Sequence, residues 1–387
     1  MSSLQQTIDT LKRLIAFPSI SSSSNRDISD AVSEQLESLG FDVEQSSYED
    51  AFGATKVNLV ARRDPASKSI DAPSGLAYFC HTDVVPAGEW TGPGAEPFVG
   101  LVQDNRIYGR GSCDMKGSLV AIMAAAAEVI ATDQTAPLWI VCTADEEVGF
   151  DGAKHLVKHS QRYREIVQAQ PLAIIGEPTH LSVVHAHKGI YGFQITSHGR
   201  AAHSSTAAGI NANEAMVPML QTLSELCRRS RSDSKYLDSR FDPPTLSWNF
   251  GFSDGGSAIN VTPEKSVAWV SLRPMPTIDG ADLVEAAEQR ARELGLEFKQ
   301  FEGGAPVWIE PDAPCIRELC QLAGSQAQTV CYGTDGGEFA ELDNRVVLGP
   351  GDIAQAHTTD EWIGLDQLQR GIDLYTQAIR RWCCGLG

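Results

Sequence analysis

Apolar residues recur at helical spacing near the start of the chain, at Leu4, Ile8, Leu11, Leu14 and Ile15. They predict a helix over residues 4–16 that Pro18 ends. A serine-rich loop, 19–24, leads to a second expected helix over 30–39, with Gly40 as its C-cap. Strands are expected over 41–46, where polar and apolar positions alternate, and over 57–61. The texture then changes. Residues 76–80, Leu138–Thr143, Leu172–Ile175 and 345–348 are short, continuous apolar runs, the pattern of buried strands. The Ala-rich run 118–130 reads as a buried helix, and further helices are expected over 313–323 and 365–382.

Between these stretches the order differs. Residues 188–197, 245–250, 266–272 and 296–301 predict strands, and 213–227 and 282–294 predict helices. That order, βαββαβ, is a ferredoxin-like unit. The expected class is therefore α/β: a mixed, mostly parallel sheet in a catalytic domain, with an α+β domain inserted into it. The expected boundaries are 1–184 and 304–387 for the two parts of the first domain and 185–303 for the insertion. A length of 387 residues fits two domains.

Composition narrows the function. The formal net charge of -19 argues against sequence-independent binding to nucleic acid or to anionic lipid, while divalent cations suit such a field. The nine cysteines are scattered without a C-x-x-C pair, which points to a reducing, cytoplasmic setting. The amphipathic N-terminus lacks a signal-peptide core, and no apolar run is long enough to span a bilayer.

The buried strands end in chemistry. Residues 76–80 run into His81-Thr82-Asp83, Leu138–Thr143 into Asp145-Glu146-Glu147, and Leu172–Ile175 into Gly176-Glu177. Open α/β sheets place ligands outside the carboxyl ends of their strands. His81 and Asp83, two apart, face one pocket if the backbone is extended; the plainer alternative is a strand-end histidine and a solvated acid. Three adjacent acids beside a buried strand are costly unless cations absorb the charge. Asp114 sits in YGRGSCDMKG, 108–117, where Gly109, Gly111 and Gly117 are expected to take backbone angles closed to other residues. His357 follows the apolar run 345–348.

His81, Asp114, Glu147, Glu177 and His357 thus form a ligand set for two divalent ions, zinc first, with cobalt or manganese as alternatives. Asp114, the central member, is the expected bridge between ions about 3.5 Å apart. Glu146 is the expected general base. Asp83 is expected to hydrogen-bond the far nitrogen of His81. His203, in GRAAHSS at 199–205, is either an oxyanion donor or a surface-loop histidine. Two other classes stay open: a thiol enzyme with Cys113 as nucleophile, and a metal carrier without catalysis. A base beside the ligands disfavours the carrier.

The motifs HTDVVP at 81–86, GRGSCDMKG at 109–117 and ADEEVG at 144–149 resemble the di-zinc aminoacylase and carboxypeptidase family, over essentially the whole chain. The segments YGTDGG at 332–337 and LGPGDIAQAHTTDEW at 348–362 are most similar to its deacetylase members. The resemblance implies that His81 and Glu177 hold one ion, Glu147 and His357 the other, and Asp114 both. It gives Glu146 the role of base and makes His203 a lid residue that reaches an active site across a homodimer formed through the inserted domain. It assigns Asn260 and Arg273 to a substrate carboxylate, and Gly333 and Thr334 to a substrate-contacting turn. The implied reaction is hydrolysis of an N-acyl amino acid, first N-acetyl-L-ornithine to ornithine and acetate. The alternatives are removal of a succinyl group from a diaminopimelate-like substrate, or another N-acyl-amino-acid deacylase or dipeptidase activity of the same family. Asp335 and Glu338 make the 333–339 loop unusually acidic; they suit a distal ammonium or are simply solvated.

Overall fold

The computed structural model describes residues 3–66, 74–301 and 303–385. In chain order the main strands are β1 (Asp42–Glu49), β2 (Thr55–Arg63), β3 (Leu76–His81), β4 (Leu138–Thr143), β5 (Leu172–Ile175), β6 (Tyr191–His198), β7 (Asn249–Ser253), β8 (Lys265–Leu272), β9 (Glu297–Phe301) and β10 (Arg345–Val347). The helices are α1 (Ser3–Ile15), α2 (Arg26–Ser38), α3 (Gly117–Glu128), α4 (Asp151–His159), α5 (Gln161–Ala169), α6 (Ala212–Ser232), α7 (Ala281–Glu293), α8 (Pro314–Ala323) and α9 (Leu365–Cys383). The chain forms two compact units, one of residues 1–186, 309–328 and 334–387, the other of residues 187–308 and 329–333.

In the first unit six strands of the nine-stranded main sheet run in the order β1-β2-β4-β3-β5-β10. The pairs β1–β2 and β2–β4 are antiparallel, and the other three are parallel. Both faces of β3, β4 and β5 are covered, so every residue in them is buried. This explains the continuous apolar runs, since a parallel sheet buried on both sides cannot alternate. In register, His81 lies opposite Thr143, and Ile175 lies opposite both Phe79 and Val347. The carboxyl ends of four strands therefore emerge together.

Helix α3 is buried on nearly all sides and packs along α9. Each fully buried Leu or Ile on such a face contributes about 1.5–3 kcal/mol relative to exposure. A small polar network threads this core: the hydroxyls of Tyr78 and Tyr375 meet Ser118 Oγ at 2.6 and 2.9 Å, and Tyr375 donates to the Leu348 carbonyl at 2.8 Å. Every buried hydroxyl in it is partnered, as a dry site requires.

Helices α4 and α5 are absent from the sequence-based expectation. Their apolar positions are few, and no loop separates them. Ser160 ends α4 and at once caps α5, its Oγ accepting from Tyr163 N at 3.0 Å. A three-stranded sheet, Leu101–Gln103, Arg106–Tyr108 and Trp362–Gly364, is likewise not foreseen, because its strands are only three residues long.

The second unit carries an antiparallel sheet, β7-β8-β6-β9, with α6 packed on β6 and β8 and α7 beside α6 and β9. β6, the first strand of this unit, lies between β8 and β9, its third and fourth, the ferredoxin-like arrangement that the sequence predicts.

Candidate metal centre

Asp114 stands on the turn before α3, and its two carboxylate oxygens face different partners. Oδ1 lies 3.1 Å from His81 Nε2, and Glu177 Oε1 lies 3.7 Å from that same nitrogen. Oδ2 lies 3.5 Å from His357 Nε2, which is 2.9 Å from Glu147 Oε2. In each group, His81–Asp114–Glu177 and Asp114–Glu147–His357, one donor atom per residue falls within 4.8 Å of the others. Asp114 is common to both. Glu146 belongs to neither group.

The glycines make the turn possible in two ways. Gly111 has φ +81°, the left-handed region, where a side chain would be strained. Gly117, by contrast, has an ordinary helical backbone, φ -61°, so the expectation of unusual angles fails there. Its reason is space: a Cβ would lie 2.3 Å from the Ser112 carbonyl oxygen.

Among the described residues, the two histidines are the only cationic side chains that form ion pairs with Asp114, Glu147 and Glu177. Burial, and then the charge of Glu177, pushes the Glu146 carboxyl well above its usual range. Burial and then Asp114 do the same to Glu177, and raise Glu147 against the hydrogen bond from His357. Burial opposes charge on His81, but the Asp114 hydrogen bond and neighbouring carboxylates prevail and push it well up. Such a crowd of buried acids, with no lysine or arginine paired to it, has the electrostatics of a cation site. The donor set fits divalent ions of the zinc, cobalt or manganese kind, which take imidazole and carboxylate together.

Asp83 departs from its expected role. The far nitrogen of His81, Nδ1, meets the Asp83 main-chain carbonyl at 2.9 Å, while the Asp83 carboxylate stays 3.7 Å away. That carboxylate instead accepts from Ser21 Oγ at 2.7 Å and from the Glu146 and Glu147 main-chain N–H groups at 3.2 and 3.4 Å. The chain leaves the strand at Thr82, so alternation no longer holds. Asp83 thus fixes the acid-bearing loop, and its backbone orients the imidazole.

The third acid of that loop has its own cation. Asp145, with φ +56°, forms an ion pair with Lys56 at 2.7 Å and accepts from Tyr48 Oη at 2.7 Å. Lys56 is 1% exposed and also donates to the Ser21 and Ser23 carbonyls. Asn58 adds bonds to Ala144 N and the Gly152 carbonyl. Sequence reading passes over these supports, although a lysine and an asparagine inside the apolar stretch 55–63 are the available signal. Lys56→Met should cost about 3–5 kcal/mol, because it strands a buried carboxylate. Urea unfolding of the metal-free protein measures this, and a loss no larger than that of a surface lysine would refute it.

Asp335 is 4% exposed rather than solvated. It accepts from Thr143 Oγ1 at 2.5 Å, and burial raises its carboxyl to about 7. The Thr334 hydroxyl is buried and accepts from Gly336 N, so it caps the turn that carries Asp335. Gly333 belongs to the second unit. There, His203 is exposed, with Nδ1 2.7 Å from Ser205 Oγ. Ser204 N donates to the Asn260 carbonyl, which places His203 and Asn260 on adjoining segments. Arg273 is half-buried at the end of β8, its N–H donating to the Leu246 carbonyl. Cys113 is buried, and burial pushes its thiol well above the usual range, which disfavours the thiolate that the thiol reading requires.

This fold and this cluster are those of a metallohydrolase, and the chain belongs to peptidase family M20/M25/M40, whose model matches residues 77–381. Among individual relatives, the chain is 33% identical to the acetylornithine deacetylase of Myxococcus xanthus, over 97% of each chain. It is 32% identical to the acetylornithine deacetylase of Proteus mirabilis (strain HI4320), over 97% of this chain and 96% of that one. Among solved structures, the M20 family metallo-carboxypeptidase Sso-CP2 from Sulfolobus solfataricus superposes with a TM-score of 0.74 at 18% identity, covering 97% of this chain and 99% of that one. That likeness concerns the fold.

Proposed function

We propose that this chain hydrolyses the acetyl amide of N-acetyl-L-ornithine, releasing ornithine and acetate. One observation carries the metal chemistry: Asp114 offers one oxygen to each of two ligand groups. The substrate rests on full-length similarity to acetylornithine deacetylases at 31–33% identity. Two divalent ions, zinc by preference, would be held by His81, Asp114 and Glu177 and by Asp114, Glu147 and His357. Bound there, they would supply an acidified water and a Lewis acid for the acyl carbonyl.

The chain's own residues do the rest. Glu146, raised in pKa and outside both ligand groups, takes the proton from water and passes it to the departing amine nitrogen. Asp83 holds the Glu146 main chain in place. His203 donates to the oxyanion, Asn260 and Arg273 bind the substrate carboxylate, and Gly333 and Thr334 line the substrate turn. Residues 185–303 serve as lid and as the contact of a homodimer in which His203 completes the partner's site. The sheet edge at β7 supports that assembly, since Phe252 on it and Trp269 beside it are 60% and 45% exposed. Nine unpaired cysteines suit a reducing cytoplasm, and no helix of the described residues is long and apolar enough to cross a membrane.

Steady-state rates on N-acetyl-L-ornithine and N-succinyl-diaminopimelate, before and after chelation, test the reading. The acetyl substrate should be preferred, its turnover should vanish with chelator, and zinc, cobalt or manganese should restore it. Full turnover without metal, or preference for the succinyl substrate, would overturn it.

A further inference from the structure

The ligand groups share a second tie besides Asp114. Glu361 is completely buried, four residues after His357. Its Oε1 accepts from the main-chain N–H groups of Cys113 and Asp114 at 2.8 and 3.0 Å. Its Oε2 accepts from Gly111 N at 2.8 Å and from Arg110 Nη1 at 2.6 Å. Arg110, also buried, uses Nη2 to donate to the Thr358 carbonyl at 2.9 Å, beside His357, and to the Pro86 carbonyl at 3.3 Å. One ion pair thus grips both sides: the turn that carries Asp114 through three main-chain bonds, and the His357 loop through Thr358.

His357 needs such a hold. Its ring is 55% exposed, and its backbone, φ +64°, lies in the left-handed region. Asp114, whose two oxygens must face opposite ways, depends on the position of its own main chain. A carboxylate that accepts four N–H bonds fixes that main chain more tightly than any single contact.

We propose that Arg110 and Glu361 are positioning residues that set metal affinity by holding Asp114 and His357 as one rigid unit. The inference rests on the metal reading above and adds two residues to it. It also predicts an asymmetry. Loss of the Glu361 carboxylate should loosen Asp114 and so weaken both ions. Arg110→Lys keeps the charge beside Glu361 but gives up the forked reach to Thr358. It should weaken the ion on the His357 side and spare the one on the His81 side.

Calorimetric titration of the metal-free protein with zinc tests this, with cobalt absorption as a second readout. Wild type, Glu361→Gln, Glu361→Asp and Arg110→Lys are compared, and the far-ultraviolet circular dichroism of each metal-free variant reports its folding. Glu361→Gln places an amide NH2 against N–H donors and should lower both affinities by about 10–100-fold. Glu361→Asp, one methylene short, should do the same to a smaller extent. Arg110→Lys should lower one affinity only and change the cobalt spectrum of that site alone. If wild type binds no metal, the metal reading itself fails. If wild type binds two ions and the folded variants bind them equally well, the positioning role fails while the metal reading stands. Equal weakening of both ions by Arg110→Lys would refute the link to His357. Should Glu361→Gln not fold, Arg110→Lys and Glu361→Asp decide the matter.

Discussion

Glu146→Gln should leave the protein folded and metal-loaded yet lower kcat by about 10²–10⁴-fold, the usual contribution of a positioned acid–base group. Glu146 lies among the ligand carboxylates but in neither ligand group. Its main-chain N–H remains bonded to Asp83 whatever its side chain, so the loop should not move. The amide keeps the size of the side chain and loses only its capacity for a proton. Zinc content and the zinc-induced rise in melting temperature should therefore match wild type, with KM little changed. A variant that keeps more than a tenth of wild-type kcat would rule Glu146 out as the base.

Asp114→Asn should behave in the opposite way. Its effect should fall on the metals first and on turnover as a result. Because one oxygen faces His81 and the other His357, substitution of a single oxygen by NH2 injures one group directly, and loss of charge injures both. A ligand present at 100 times its dissociation constant stabilises a fold by about 2.7 kcal/mol per site. The zinc-dependent gain in melting temperature should therefore largely vanish in Asp114→Asn. Most of the rate acceleration should go with it, and enzymes commonly supply about 10⁶-fold or more. Measuring zinc stoichiometry and melting curves on the same samples separates this variant from Glu146→Gln. Two zinc ions bound at wild-type affinity in Asp114→Asn would defeat the shared-ligand reading.

Much of this molecule is legible in its sequence, for physical reasons that can be named. Strands β3, β4 and β5 are buried on both faces, so they appear as uninterrupted apolar runs, and two of the three match the expected limits. The acids and histidines after them stand out because polar residues beside such runs are rare without a purpose. Helices α4 and α5 were hidden because Ser160 joins them without a loop. The geometry of Asp83 was hidden for another reason: the strand ends at His81, and spacing arguments stop where regular backbone stops. Lys56 and Asp145 are 89 positions apart and meet only after β2 and β4 pair, so no local pattern links them. The same holds for Arg110 and Glu361, separated by 251 positions. The residues that directly face one another across the centre could be named from strand ends, from the glycine-rich turn of Asp114 and from the loop of His357; the residues that brace them come from distant segments and needed the fold.

Synthesis on the ribosome gives this arrangement a temporal meaning. The strand Arg345–Val347, His357 and Glu361 emerge long after His81, Asp114, Glu147 and Glu177. Until they arrive, the N–H groups of Gly111, Cys113 and Asp114 lack their common acceptor. A nascent or prematurely terminated chain that stops short of residue 357 holds only one of the two imidazoles of the centre. Such a fragment lacks the Asp114–Glu147–His357 group altogether.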